Sequence, residues 1–324
     1  MFDHKTLPQQ LAREVLVNIS KGMYNESELA AFMTVFLMRS ITVEELAGFR
    51  EALLELCIPV DLNGYDTLDI VGTGGDGKNT FNISTLSCFL VAGAGGKVAK
   101  HGNYGVSSVS GASNVMEALG YKFSNDTGKL KNELEEAGIC FLHAPLFHPA
   151  LKNVAPVRKQ LGVRTFFNML GPLVNPSFPD YQMIGVYSLE LARVYKYIYQ
   201  QIDKHYVILH SHDGYDEISL TSDTRIITNE VDQDYTPEEL GKRSVHAQDI
   251  FGGSTVEEAT KLFVKILQGE GTWAQHAVVL ANAAMGLSCL QPGKKYEDCY
   301  QAVVESLESG AAYRVFNKLI DLQS

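Results

Sequence analysis

Two glycine-rich turns hold the densest chemistry in this sequence. The first, Gly72-Thr73-Gly74-Gly75-Asp76-Gly77, runs on through Lys78-Asn79-Thr80-Phe81-Asn82-Ile83-Ser84-Thr85. Glycine lets backbone amides approach a ligand closely, and the hydroxyl- and amide-rich continuation toward a helix start offers consecutive donors to an oxyanion. The second turn, Lys100-His101-Gly102-Asn103-Tyr104-Gly105, continues through Val106-Ser107-Ser108-Val109-Ser110-Gly111-Ala112-Ser113 into another helix. One such turn is commonly no more than a glycine bend with an Asn or Ser cap. Two of them, after adjacent strands of one sheet, point at a single crevice, where open α/β sheets bind ligands.

The first turn also satisfies GxGxxG after a predicted strand, so a dinucleotide site has to be weighed. That site needs an acidic residue at the end of the second strand to hold a ribose diol. Here the second strand ends in Lys100-His101-Gly102-Asn103, which suits phosphate instead. A further constellation, His210, His212, Asp213, Asp216 and Glu217, invites a transition-metal reading, because His-x-His on a strand puts both rings on one face. No third histidine lies at ligand spacing, which favours a strand edge running into a polar loop. His143 and His148, each near a proline, are expected to shape loops, and Tyr195, Tyr197 and Tyr199 to pack a helix.

The elements that must position these turns follow from periodicity. Residues 1 to about 64 predict helices: Leu7, Leu11, Val15 and Ile19 form a stripe ended by Gly22, and Asn25 with Glu28 and Thr42 with Glu45 have capping-box spacing. From Tyr65 onward, short apolar runs at 68–71, 97–100, 139–142, 181–187 and 206–209 alternate with helical stretches, which predicts a mostly parallel sheet with helical crossovers. Residues from about 148 to 175 turn helical again, broken by Pro156, and are expected to join the first segment. Beyond Thr255, helices are predicted over 256–268 and 274–290. The expectation is an α/β protein with a small N-terminal helical domain (1–64) and a larger α/β domain (65–324). Apolar positions in the helical part outnumber what short helices bury among themselves, so a dimer interface is expected there.

Bulk properties narrow the partners. The chain has 324 residues and a formal net charge of −11, which opposes nonspecific binding to nucleic acid or anionic membranes. A polyanionic substrate must therefore be held by local groups. No apolar run approaches the ~20 residues of a membrane span, and the start lacks a secretory pattern. Five scattered cysteines without a CxxC pair read as reduced thiols of a cytoplasmic protein.

At these residues the sequence resembles the anthranilate phosphoribosyltransferase family. The motifs are GTGGD at 72–76, NIST at 82–85, KHGN at 100–103, VSS at 106–108, GVRTFFNMLGPLVNP at 162–176 and GYDEIS at 214–219, in matching order and spacing over essentially the whole chain. The resemblance implies the nucleoside phosphorylase/phosphoribosyltransferase fold, a homodimer formed through the helical domain, and a site between the domains. It implies transfer of the phosphoribosyl group of phosphoribosyl pyrophosphate to the amine of anthranilate, in tryptophan biosynthesis, with two Mg²⁺ ions. The donor would meet Gly72, Gly75, Asp76, Thr80, Asn82, Ile83, Ser84, Thr85, Lys100, Asn103, Ser107, Ser108 and Ala112. Ser84 would reach one Mg²⁺ and Asp216 with Glu217 the other, a sufficient oxygen set when a diphosphate supplies the rest. Arg164 would receive the anthranilate carboxylate as a bidentate fork, near Gly72, His101 and Asn103, with Val163, Phe166 and Phe167 as an apolar wall. His101 is the nearest candidate base, although an uncharged aniline needs none before attack.

Two positions depart from the family pattern. Tyr104 follows KHGN where Arg is usual, and Ala112 stands where Ser is common, so a phosphate contact is expected to be lost or relocated. The rival within this fold is a pyrimidine nucleoside phosphorylase, which would have no use for the acidic pair. A nucleic-acid-binding relative is the rival of another class, and the charge has the wrong sign for it.

Overall fold

A computed structural model describes residues 5–105 and 109–323; Ser107 and Ser108 lie outside the described residues. The chain opens with three helices, α1 (Gln9–Ser20), α2 (Glu26–Met38) and α3 (Val43–Leu56). Both anticipated capping boxes form: Asn25 with Glu28 opens α2, and Thr42 with Glu45 opens α3. The apolar stripe of α1 is shifted from the expected one. Ala12, Leu16 and Ile19 are buried while Leu11 is exposed, because the face that meets α3 is set by Gly48, whose missing Cβ lets α1 approach its backbone.

The α/β part then unrolls as β1 (Thr67–Gly72), α4 (Ile83–Gly93), β2 (Lys97–Gly102), α5 (Ala112–Ala118), α6 (Thr127–Ala137) and β3 (Ile139–His143). A run of short helical pieces follows: α7 (Ala144–Phe147), a 3₁₀ turn at Pro149–Leu151, α8 (Ala155–Leu161), α9 (Phe167–Leu170) and a second 3₁₀ turn at Gly171–Leu173. Next come β4 (Tyr181–Gly185), α10 (Leu189–Tyr199), β5 (His205–Ser211), β6 (Thr224–Thr228) and β7 (Asp232–Tyr235). The chain closes with α11 (Val256–Leu267), α12 (Trp273–Leu290), α13 (Tyr296–Glu308) and α14 (Ala311–Asp321).

The strands form one seven-stranded sheet in the order β3-β2-β1-β4-β5-β6-β7. The first five are parallel, and β6 and β7 add an antiparallel margin. Strand order reverses between β1 and β4, so the loops after those strands leave toward opposite sides and open a crevice at their carboxyl ends. Both sheet faces are covered. Leu68 and Ile70 of β1 enter a core with α4, α12, α13 and α14, while Val71 faces a second core shared with α1–α3 and α10. In that second core Phe166 packs with Phe32, Phe36 and Phe49, which joins the segment before β4 to the N-terminal helices. Among the described residues no helix is long and apolar enough to cross a membrane.

Candidate active site

The carboxyl ends of β1, β2 and β4 each finish on glycine, and those of β1 and β4 make room for the same loop. A Cβ on Gly72 would lie 2.4 Å from an Asp216 carboxylate oxygen, and one on Gly185 only 1.5 Å from the Asp216 carbonyl oxygen. The loop carrying Asp216 therefore lies directly across the strand ends. Beyond Gly72, the residues Gly74, Gly75 and Gly77 all have φ between +61° and +73°, a region that side chains disfavour. This left-handed backbone turns amides inward: Gly74 N–H donates to Asp216 Oδ2 at 2.8 Å.

The two glycine turns meet. Asn82 Nδ2 donates to the carbonyl of Ser110 at 3.0 Å, tying the start of α4 to the loop before α5. Asn82 does not cap α4 with its side chain. Instead the first-turn amide of Ser84 donates to Glu217 Oε1 at 3.0 Å. Lys100, fully buried on β2, donates from Nζ to the Ile70 carbonyl at 2.6 Å and stands 3.5 Å from the Ser84 hydroxyl. One cavity of about 250 Å³ is lined by both turns, by Asp216 and Glu217, and on its far side by Leu53, Leu151, Phe167 and Leu170 of the helical elements.

Its electrostatics are unbalanced. Burial, then the neighbouring Asp76 charge, pushes the Asp216 carboxyl up to about 7. Glu217 is raised well above the usual carboxylate range by burial and by both aspartates, and Asp76 is raised by burial. Three buried acids side by side, two of them raised by their neighbours' charge, call for a cation, although among the described residues no three His, Cys, Asp or Glu side chains could hold a metal ion by themselves. That combination fits Mg²⁺, which takes one or two carboxylates plus substrate oxygens. The buried hydroxyls of Thr73, Thr85 and Ser110 line the same cavity without a protein partner, as a polar ligand would require.

Arg158, on α8, reaches the cavity from the helical side. Its guanidinium lies 5.4 Å from the Phe167 ring centroid and 3.4 Å from Asn168 Oδ1, and among the described residues no carboxylate pairs with it.

This geometry agrees with comparisons to known proteins. Residues 64–313 match the model of the glycosyl transferase family a/b domain, and residues 1–57 match that family's helical bundle domain. The anthranilate phosphoribosyltransferase of Flavobacterium psychrophilum is 58% identical over 322 residues, covering 99% of this chain and 97% of that one. The enzyme of the same name from Cytophaga hutchinsonii is 55% identical over 320 residues, covering 99% and 98%. The chain belongs to the anthranilate phosphoribosyltransferase family. Among solved structures, the family member from Thermus thermophilus superposes with a TM-score of 0.89 at 32% identity, covering 98% of this chain and 96% of that one. The Saccharomyces cerevisiae anthranilate phosphoribosyltransferase in complex with PRPP and Mg also superposes with a TM-score of 0.89, at 28% identity and coverage of 98% and 93%.

Within this member of the family the expected residues divide. Gly72, Gly75, Asp76, Thr80, Asn82, Ser84, Thr85, Lys100, His101, Asn103, Ala112, Asp216 and Glu217 all line the cavity. Ile83 does not; its side chain is buried in the core behind the loop. Arg164 does not line it either. It is exposed, hydrogen-bonded through Nη1 to the Gly75 carbonyl, and stacked 4.3 Å from the Tyr187 ring centroid. The expected apolar wall is corrected in part: Phe167 contributes, whereas Val163 is exposed and Phe166 is inside the aromatic core. Tyr104 fills the place of the usual arginine by stacking edge-on against His143, 4.8 Å between centroids, and by reaching Glu117 at 3.4 Å.

The histidines also separate. His210 Nδ1 meets the Val186 carbonyl at 2.8 Å inside the sheet and His212 Nε2 meets Asp234 of the edge strand β7 at 2.8 Å, so the two rings have separate partners. His101 Nδ1 lies 3.0 Å from the Gly171 carbonyl, which can only accept, so that nitrogen carries the proton and Nε2 is a lone pair. Burial, with a contribution from His148, pulls His101 down to about 3. His148, expected only to shape a loop, lines the cavity with neither ring nitrogen partnered, 5.3 Å from the His101 ring. Leu53, His148, Leu151 and Arg158 line the cavity although no motif gives them a place in it.

Proposed function

We propose that this chain transfers the phosphoribosyl group of phosphoribosyl pyrophosphate to the amine of anthranilate, releasing pyrophosphate. The observation that carries this reading is the two-sided cavity. One side offers loop amides, hydroxyls, Lys100 and three acids for a diphosphate and its metal. The other offers an apolar slot with one arginine for an aromatic carboxylate.

The donor's diphosphate lies against the glycine loop and the Asn82–Thr85 turn, with Lys100 supplying charge at their junction. Magnesium suits the Ser84 hydroxyl and the Asp216–Glu217 pair, and two ions are proposed; when bound they neutralise the departing diphosphate. The acceptor ring lies between Phe167 and the aliphatic wall of Leu53 and Leu170, with its carboxylate on Arg158. This moves the role expected of Arg164 onto a residue that faces the cavity. Arg164 instead holds the Gly75 carbonyl and so fixes the donor loop.

Displacement at C1′ develops oxocarbenium character, and catalysis consists of holding the amine in line while stabilising the leaving group. His101 is a neutral wall in this account: a ring that protonates only near pH 3 is too weak a base for an anilinium proton to need it. Exposed Leu11, Leu37 and Met38 on the N-terminal helices support a homodimer through that face, and a cytoplasmic location is proposed with it. Purified protein supplied with both substrates and Mg²⁺ should give N-(5-phosphoribosyl)anthranilate and pyrophosphate in equal amounts by mass spectrometry. Turnover of thymidine with phosphate instead would replace this reading with a nucleoside phosphorylase.

A further inference from the structure

A second cavity, of about 640 Å³, lies between the segment after β7 and helices α11, α12 and α13, and shares no lining residue with the first. Two adjacent cations enter it. Lys242 Nζ sits 3.6 Å from the centroid of the Tyr300 ring, and the Arg243 guanidinium carbon 3.9 Å from that of Trp273. The Lys242 amine donates to the carbonyl of Gly241 at 3.1 Å, and among the described residues neither cation pairs with a carboxylate. Elsewhere in this strongly acidic chain cations such as Lys196 and Arg225 are taken up by carboxylates. Stacking on a ring spreads the charge but leaves the N–H donors without an anionic acceptor. Partial burial also pulls the Lys242 amine down, so an incoming anion would recover charge stabilisation there.

We propose that this cavity is a binding site for a small organic anion that carries one oxyanion group on a flat apolar ring. The oxyanion lies between Lys242 and Arg243, and the ring rests on Trp273, Leu280 and Val304, which line the same space. Glu308, also in the lining, repels a second negative group, so one anionic end is preferred to two. Carboxylate and phosphate share this chemistry, and the assay below separates them.

Trp273 is the only tryptophan of the chain and is 45% exposed, so its emission reports this cavity and no other. Titration of the whole protein with benzoate, phenyl phosphate, inorganic phosphate and benzylamine, excited at the red edge of indole absorption, is the test. The expected result is a saturable change with benzoate or phenyl phosphate, about tenfold tighter than with inorganic phosphate, and none with benzylamine. The tighter of the two aryl anions identifies the oxyanion. In a Lys242→Gln/Arg243→Gln protein with unchanged far-ultraviolet dichroism, affinity should fall by about tenfold or more. Glu308→Gln should tighten binding severalfold, which keeps the test decisive if the double variant fails to fold. No saturable change up to about 10 mM of either aryl anion, an equal response to benzylamine, equal affinity for inorganic phosphate, or an unmoved titration in the variants would overturn the assignment.

Discussion

Replacing Arg158 by alanine tests the division of labour between the two arginines. In the structure its guanidinium faces the cavity beside Phe167, and among the described residues its one side-chain hydrogen-bond partner, Asn168 Oδ1, is 3.4 Å away, a long and weak contact. Little is lost inside the protein when the side chain is removed. What the proposed placement of the acceptor would lose is a charge-assisted pair with the substrate carboxylate, worth roughly 1.5–3 kcal/mol. That converts to a rise of roughly 10- to 150-fold in KM for anthranilate, with the donor's KM changed by less than about twofold. Arg158→Lys should recover only part of the loss, because a point charge cannot form the paired contact of the planar fork. Arg164→Ala should do the reverse. Freeing the Gly75 carbonyl costs about 1 kcal/mol of loop order, so the donor's KM rises about fivefold and anthranilate's stays put. Steady-state kinetics with each substrate varied at saturation of the other gives all four numbers. A larger anthranilate defect in Arg164→Ala than in Arg158→Ala, or equal shifts for both substrates in Arg158→Ala, would refute the assignment.

Three further outcomes follow from the same geometry. Asp216→Asn with Glu217→Gln should raise the Mg²⁺ concentration needed for half-maximal rate by about tenfold or more, while raising the melting temperature of metal-free protein by a few degrees, since mutual repulsion is relieved; an unchanged metal titration counts against the site. Gly185→Ala should cost more than about 4 kcal/mol in denaturant unfolding, because its Cβ would collide with the Asp216 backbone, and a loss under about 1 kcal/mol would contradict that packing. His148 is held near pKa 4 by burial, below its ordinary value, so the unfolded chain binds the extra proton between pH 6.5 and 4. Its contribution to stability is complete above about pH 6.5 and is lost as pH falls toward 4, so His148→Gln should flatten the acid limb of the stability profile by close to one proton; an unchanged slope would show the ring to be protonated in the native state.

How far the sequence carried is visible in particular elements. The strand expected at 139–142 from its short apolar run forms as Ile139–His143, and the capping boxes of α2 and α3 follow from Asn25-Glu28 and Thr42-Glu45. The convergence of the two glycine turns was readable because both follow strands expected to be neighbours. The β6–β7 margin was not, since Asp232-Gln233-Asp234-Tyr235 is a polar edge without an apolar alternation, paired with β6 by an antiparallel backbone ladder that Arg225 spans to reach Asp232. Helix α14 buries Ala312, Phe316 and Leu319 at helical spacing, so its periodicity is legible in the sequence. Within the site, Arg164 drew notice through its motif, whereas Arg158 lies on a short helix whose facing direction depends on contacts across the fold. His148 was likewise hidden, because only tertiary packing brings it against His101.

In the proposed reaction the acidic loop and the glycine turns hold one metal-dependent donor opposite an anthranilate slot. Its most direct test is the decay of anthranilate fluorescence on adding phosphoribosyl pyrophosphate to the purified protein. A decay that requires both the donor and Mg²⁺, and stops with a chelator, is predicted. Fluorescence that stays constant with both present, or that decays equally without the metal, would contradict the account.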